Sequence, residues 1–508
     1  MGSARKPLAH RAASGALWVS VQNWGNQLVR FAVFLILARL LGPEAFGILT
    51  LAAIVTVLGE RLIAEGGWSE ALIRKRQLHP ADLDSVFWFL VGASLAFVGC
   101  AVALAASAAD WFDQPEIALI LPWLAWVMPL YAFNVVPRAL LQRRFDFRNL
   151  AMASLVGTVG GGLTAVALAL TGWGIWSLVF YQLVQTSIRT VLIWRVSPWR
   201  PGGQVAMARL KETIGFASGV LTERALRSID IIAARALMGQ QLSATTLGYY
   251  GFALEILGLT RRLLVRPLTG VALPAIAALR SEPARLRAAL MNGIQFLALM
   301  AFPGPIGLAI VAPDLVPLLV GERWAPAVPA VQIAMVLGPL VPLTRLSVVL
   351  QLAVGRVRTV AGLAALSTTI FLVLLLLQEH LTVETVLVAL VVRSYLVFPL
   401  HLALMQRLTG ISIMEYLRAL APLLASCLVM AAAVLATLAV LPSDLAPFWR
   451  LCASVTVGVI AYVAALTVTA RPLLAEAARL LAGALDITTP GARGLTPGQR
   501  RPREARPR

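Results

Sequence analysis

The chain has 508 residues, 59% of them hydrophobic and only 13% charged, and its mean hydropathy is +0.82. Soluble globular proteins carry about 25% charge, so this composition excludes a soluble enzyme, a disordered chain and a disulfide-dense secreted scaffold. Its 43 basic and 24 acidic side chains leave a net charge of +19. The basic residues sit between and inside apolar runs, which suits anionic headgroups or an anionic membrane substrate and not nucleic acid.

The start is polar and basic, and its first apolar run is too long and interrupted for the core of a leader, so no cleavable signal peptide is expected. Apolar stretches then recur at roughly 15–40, 44–64, 83–108, 117–140, 149–170, 175–197, 212–237, 248–271, 288–312, 327–351, 359–378, 385–406, 419–441 and 448–470. Each can cross a bilayer core as an α-helix, where backbone polar groups must pair internally. None alternates with the period of a barrel strand. The expected fold is all-α: a polytopic membrane protein of about fourteen transmembrane helices. Cys100, Cys427 and Cys452 lie in apolar runs without metal-ligand spacing. Gly157-Thr158-Val159-Gly160-Gly161-Gly162 falls inside such a run and reads as close helix packing, not a nucleotide loop. Beyond 470, residues 473–486 suit a short amphipathic helix, and 487–508, rich in Pro, Gly and Arg, are expected to be disordered.

Loop charge sets the orientation. Both ends and every even-numbered connection carry Lys or Arg, as at Arg74, Lys75 and Arg76, or Arg143, Arg144 and Arg148. The odd-numbered connections hold Arg323 as their basic residue, against acids such as Asp110, Asp113, Glu116 and Glu379. Both termini are therefore expected in the cytoplasm. Arg450, just inside an outer boundary, is expected to reach out to the surface.

A repeat is visible. Ala38-Arg39 closes the first segment and Ala234-Arg235 the seventh; Gly47 and Gly248 open the next segments, with Arg61 and Arg262 each fourteen residues further on. Six segments separate the units, so both halves share one orientation, as in parallel-repeat transporters. The expected organisation is an N-lobe over 1–208, a C-lobe over 209–410, an extra helix pair over 411–470 and a basic tail over 471–508.

Ionisable residues deep in apolar helices carry the functional signal. One left unpaired near mid-membrane costs at least about 2.5–3.5 kcal/mol, so each should face a cavity or a partner. They concentrate in the repeat-related segments: Arg30, Glu60, Arg61 and Glu65 in the first pair; Glu223, Arg224, Arg227, Asp230, Arg235, Glu255, Arg261, Arg262 and Arg266 in the second. Arg345 and Arg393 are the main deep exceptions elsewhere. Arginine stays charged and offers a planar fork suited to phosphate. A cavity between two halves lined by such residues would attract a phosphate or pyrophosphate. Glu60, Glu65, Glu223, Asp230 and Glu255 are candidates for proton or sodium coupling, or for structural ion pairs. No Walker loop, metal cluster or catalytic constellation is present, so no cofactor and no enzyme chemistry are expected.

Several stretches resemble a known family. Arg39-Leu40-Leu41-Gly42-Pro43-Glu44-Ala45-Phe46-Gly47 is similar to the loop between the first two helices of bacterial polysaccharide flippases. Glu65-Gly66-Gly67-Trp68-Ser69-Glu70-Ala71-Leu72-Ile73 resembles the stretch after the second helix in the colanic-acid-exporter-like branch. Trp173-Gly174-Ile175-Trp176-Ser177-Leu178 is similar to a recurrent turn before the family's sixth helix, and Leu247-Gly248-Tyr249-Tyr250-Gly251-Phe252-Ala253 to the start of its eighth. The resemblance, to the Wzx-like branch of the multidrug/oligosaccharidyl-lipid/polysaccharide exporter superfamily, spans roughly 14–470 and is most specific before 260. It implies two six-helix lobes around a central cavity, an extra helix pair, and alternating access in the bacterial inner membrane. The cargo it implies is an undecaprenyl-pyrophosphate-linked oligosaccharide, turned from the cytoplasmic to the periplasmic leaflet for exopolysaccharide, capsule or lipopolysaccharide. Membrane lipids, and a polymerase and glycosyltransferases of the same pathway, are the implied partners. The family's cationic cavity carries over to Arg30, Arg61, Arg227 and Arg262, with Arg224 and Arg261 beside them. Two rivals are a cation-coupled drug exporter, in which acids should dominate the cavity, and a membrane-embedded polymerase or ligase. The latter needs a large outer loop; the longest expected here, near 313–326, is about fourteen residues.

Overall fold

The computed structural model describes residues 8–260, 262, 276, 282–442 and 444–471; for 8–23, 219, 222, 223, 225–227 and 357 it describes the backbone alone. The expected helix at 473–486 and the tail after it lie outside the described residues. All regular structure among those described is helical. The first half holds α1 (Leu8–Leu41), α2 (Pro43–Gly59) with a π turn at Glu60–Ala64, the short α3 (Trp68–Arg74), α4 (Pro80–Phe112), α5 (Pro115–Ala125), α6 (Val127–Arg143), α7 (Phe147–Leu170) and α8 (Trp176–Val196). The second holds α9 (Met207–Gln241), α10 (Ala244–Thr260), α11 (Pro283–Ala301), α12 (Pro303–Val320), a 3₁₀ turn at Glu322–Ala327, α13 (Val328–Met335), α14 (Leu340–Ala353), α15 (Val357–Leu376) and α16 (Val383–Thr409). A last pair, α17 (Ile413–Val440) and α18 (Pro447–Thr469), packs against itself and against α12.

Local chemistry sets the ends. Proline occupies the first turn of α2, α4, α5, α11, α12 and α18, where its missing N–H costs nothing. Asp146, Thr382 and Ser412 accept backbone N–H groups at the starts of α7, α16 and α17. Gly42, at φ 78°, makes the tight turn from α1 to α2 that a side chain would strain.

Ten helical stretches among the described residues are long and apolar enough to cross a membrane; an eleventh is the pair Glu322–Met335 and Leu340–Ala353, bent by 41°. Large apolar side chains such as Leu163, Leu376, Leu428 and Val468 face outward, which water would penalise and lipid does not. The protein is an all-helical, multi-pass membrane protein. The expected segments 175–197, 212–237 and 248–271 form α8, α9 and α10 but do not pass that test. The first two hold arginines along their length, and α10 is described over only 17 residues. The expected outer loop at 313–326 is largely absent: α12 continues to Val320, and a 3₁₀ turn follows. Arg450 stands 3.7 Å from Asp314 on that extended α12 and pairs with it.

Buried apolar clusters hold the helices together. One joins α3, α4 and α6 with the first turns of α9; another joins α11, α12, α14, α16, α17 and α18. A third draws on both halves and includes Ala38 and Ala234, the two alanines of the repeat. Within the first half, α7 lies on α8 at the glycine run: a Cβ at Gly157 or Gly161 would come 2.7 or 2.9 Å from the carbonyl oxygens of Gln185 or Tyr181.

The halves meet most closely where α2 crosses α10. A Cβ on Gly47 would overlap the Ala244 carbonyl, and one on Gly248 would overlap the Pro43 carbonyl. The contact is reciprocal, each glycine meeting the residue four before the other glycine. Trp324 seals the same end: its Nε1 donates to the Ala38 carbonyl at 2.9 Å, and its ring packs on Phe46, Tyr249 and Phe252. Gly47→Ala or Gly248→Ala should each destabilise the protein by about 1–3 kcal/mol through overpacking. Gly92→Ala, where a Cβ meets nothing within 4 Å, should be neutral or slightly stabilising. Thermal unfolding in detergent separates them, and equal midpoints would remove the argument for a tight crossing.

Candidate functional site

Below that crossing, between the halves, lies a cavity of about 230 Å³. Arg30 of α1 and Arg235 of α9 project into its lining, with Thr50, Tyr181, Gln182 and Glu255 among its polar residues and Phe34, Leu37 and Phe46 among its apolar ones. Neither Arg30 nor Arg235 has a hydrogen bond or ion pair among the described residues, and the Nε of Arg235 is buried without a partner. Glu255 is held by Arg262 at 2.5 Å. The described charges here are three guanidiniums and one carboxylate. Such a cavity holds positive potential in a low-dielectric surround, and an anion is its complement.

A second group closes the space toward the other end. The π turn after α2 presents Arg61, whose guanidinium pairs with Glu65 while its Nε donates to Ser228 Oγ on α9 at 2.9 Å. From α9, Arg224 pairs with Glu70 at 2.8 Å and donates to the Glu65 carbonyl. Gly67, at φ 83°, lets α9 come close: a Cβ there would stand 2.7 Å from Val220. Further out, Lys75 donates to Asp82 at 3.0 Å and to Glu212 at 2.8 Å, and Arg209 reaches Asp82 at 3.2 Å. Burial works against the Lys75 ammonium, yet its hydrogen bonds to Glu212 and Asp82 outweigh that and hold it above the ordinary lysine value. These contacts clasp α9 to the first half.

The sequence-nominated residues therefore divide. Arg30 and Glu255 line the cavity, and Arg262 binds Glu255. Arg61, Glu65 and Arg224 belong to the clasp. Glu60 accepts a hydrogen bond from Tyr131 at 3.2 Å, and Arg189 lies over that tyrosine ring at 5.4 Å. Asp230 pairs with Arg393, which also lies 5.3 Å from the Phe371 ring centre. Glu223 and Arg227 are described in backbone only, and Arg261 lies outside the described residues.

Arg235 is among the deep ionisable residues of the sequence but not among the arginines that the family resemblance carries over to the cavity. The signal was there: Arg224, Ser228 and Arg235 follow i, i+4, i+11 and share one face of α9. Tyr181 and Gln182 left no such signal, because nothing local says which face of α8 turns inward.

The 1%-exposed Asp82 is the anion both Lys75 and Arg209 face. Asp82→Asn should cost about 3 kcal/mol or more, as breaking a buried pair does. Glu212→Gln, at an exposed side chain, should cost under about 1 kcal/mol. Unfolding in detergent reads both, and comparable losses would sink the ranking.

Compared with known proteins, residues 36–329 match the family described as Polysaccharide biosynthesis protein. The chain is 24% identical over 342 residues to the lipopolysaccharide biosynthesis protein WzxC of Escherichia coli K12, covering 65% of this chain and 68% of that one. It is 27% identical over 312 residues to the succinoglycan biosynthesis transport protein ExoT of Rhizobium meliloti, covering 61% and 63%, so the match spans less than two thirds of ExoT. Among solved structures it resembles the lipid II flippase MurJ in an inward closed conformation, with a TM-score of 0.75 at 12% identity over 90% of this chain and all of that one. An inward-facing multidrug resistance MATE transporter of the MOP superfamily gives 0.62 at 15% identity, over 76% and 95%. Those identities show the fold alone: it is the MOP superfamily fold. The relatives with a stated activity are transporters and flippases, not enzymes.

Proposed function

The chain belongs to the Polysaccharide biosynthesis protein family, and from that premise we propose that it is a flippase for lipid-linked oligosaccharide. In this reading it turns an undecaprenyl-pyrophosphate-linked sugar unit from the cytoplasmic to the periplasmic leaflet of the bacterial inner membrane, for surface polysaccharide assembly. The observation that carries it is the cavity between the halves, into which Arg30 and Arg235 bring guanidiniums with no described anion. Pyrophosphate matches that charge and fork geometry. A drug exporter for cations would need the opposite balance.

The two lobes, 1–208 and 209–410, would rock about the cavity, with both termini cytoplasmic and fourteen helices crossing. The helices that miss the hydropathy criterion, α8, α9 and α10, would complete that number, since helices that line a polar interior need not be apolar all round. A volume of about 230 Å³ falls below the roughly 300–1,000 Å³ of ordinary ligand sites, so loading requires the lobes to part. The clasp of Arg61, Glu65, Arg224 and Glu70 would open toward the cytoplasm, and the Gly47–Gly248 crossing toward the periplasm. Glu60, whose described partner is a neutral phenol, is the carboxylate best placed to exchange a proton or sodium ion during that cycle. Polymerase and glycosyltransferases of the same pathway would deliver and consume the cargo.

A deletion strain should accumulate lipid-linked oligosaccharide in the inner membrane and lose surface polymer. Wild type should restore both. Arg30→Ala, Arg235→Ala and Arg262→Ala should insert normally and restore neither; Arg30→Lys should restore part. Wild-type transport by all three alanine variants would remove the cationic site. Unchanged polymer with increased drug sensitivity on deletion would replace the flippase by an exporter.

A further inference from the structure

On the far side of α8 from the central cavity is a second pocket, of about 430 Å³, lined by Phe133, Thr190, Val191, Trp194, Arg195 and Arg200. Trp194 and Arg195 each lie thirteen residues beyond Tyr181 and Gln182, which turns them about 140° away around the helix. Val191, one turn deeper, is 51% exposed, so this face looks outward to lipid. Trp194 and Arg195 end α8, at the depth where tryptophan and arginine settle against headgroups.

The pocket is built in advance. Trp194 Nε1 donates to the Phe133 carbonyl at 3.0 Å, and its ring packs against those of Phe133 and Trp199. Arg200 lies 5.6 Å from the Trp194 ring centre, its Nη1 donating to the Ser197 and Trp199 carbonyls at 2.7 and 2.8 Å. The loop that carries it is tied to α4, because Asp84 accepts the backbone N–H groups of Gly202 and Gln204 at 3.1 and 3.3 Å. Neither Arg195 nor Arg200 pairs with a carboxylate among the described residues. A helix-end arginine that merely faces water needs no groove, no aromatic wall and no anchored neighbour.

We infer that this pocket binds the headgroup phosphate of an anionic phospholipid from the surrounding leaflet. Arg195 and the free edge of Arg200 would take the phosphate, and an acyl chain would lie along Val191 and Phe133. Two guanidiniums disfavour a choline headgroup, whose cation would sit among like charges. The assignment does not depend on what the central cavity carries.

The test uses the full-length protein in neutral detergent, titrated with phosphatidylglycerol or phosphatidylcholine and read by native mass spectrometry. Wild type should retain phosphatidylglycerol in preference. Arg195→Gln/Arg200→Gln should bind it about tenfold more weakly, with phosphatidylcholine unchanged. Arg407→Gln/Arg418→Gln, at two exposed arginines elsewhere, should match wild type. Arg195→Gln alone, at an exposed side chain, guards against a folding defect and should itself weaken retention severalfold. Undiminished binding in the pocket variants, or an equal loss in the control pair, would overturn the site. Displacement of phosphatidylglycerol by millimolar inorganic phosphate would overturn the lipid assignment in favour of a soluble phosphate.

Discussion

A guanidinium inside a bilayer must meet an anion, a carbonyl or water, and that constraint orders the interior of this protein. Arg224 and Arg393 meet carboxylates on other helices, and Arg61 and Arg262 meet carboxylates four and seven residues away along the chain. Arg143, near the end of α6, meets the carbonyls of Leu72 and Ile73 at 2.9 and 3.0 Å. Arg30 and Arg235 meet a cavity. A misplaced charge would cost several kcal/mol, a large share of a typical stability. The helices are thereby held in the rotation that turns these side chains inward, and their apolar faces are left for lipid.

The same constraint separates structure from transport. Charges that neutralise one another across α9 and the first half form a clasp, strong while assembled and costly to leave half broken. Charges without a described partner have electrostatic capacity left for a ligand. In the proposed cycle the central cavity would take the cargo, and the Arg61–Arg224 group would rearrange to admit it.

Opposite the clasp, the two halves touch through backbone instead of charge. Glycines at equivalent points of the repeat let α2 and α10 approach until a carbonyl fills each missing side chain. Such a contact is short-ranged and either made or lost, as the sealing end of the proposed cycle would need. A charged clasp at one end and a glycine crossing at the other give the two ends different chemistry around one cavity.

Much of this was legible in the chain. Hydropathy gave the helices because the bilayer leaves the backbone no alternative, and Gly47 and Gly248, which open the second and eighth expected segments, are where two helices approach most closely, as only glycine permits. The family resemblance rested on the same loops. The chain also nominated the deep arginines, since their cost in lipid does not depend on the fold. What it could not assign was each arginine's partner. Arg61 and Arg30 look alike in sequence, yet one reaches Ser228 on α9 and the other a cavity. Arg450 pairs with Asp314, 136 positions earlier in the chain. Pairing across helices is a property of their rotation and packing, set by contacts more than a hundred residues apart. Composition alone therefore determined that this protein spans a membrane and keeps charge inside it, and only the tertiary structure decided which of those charges are spent on each other and which stay open.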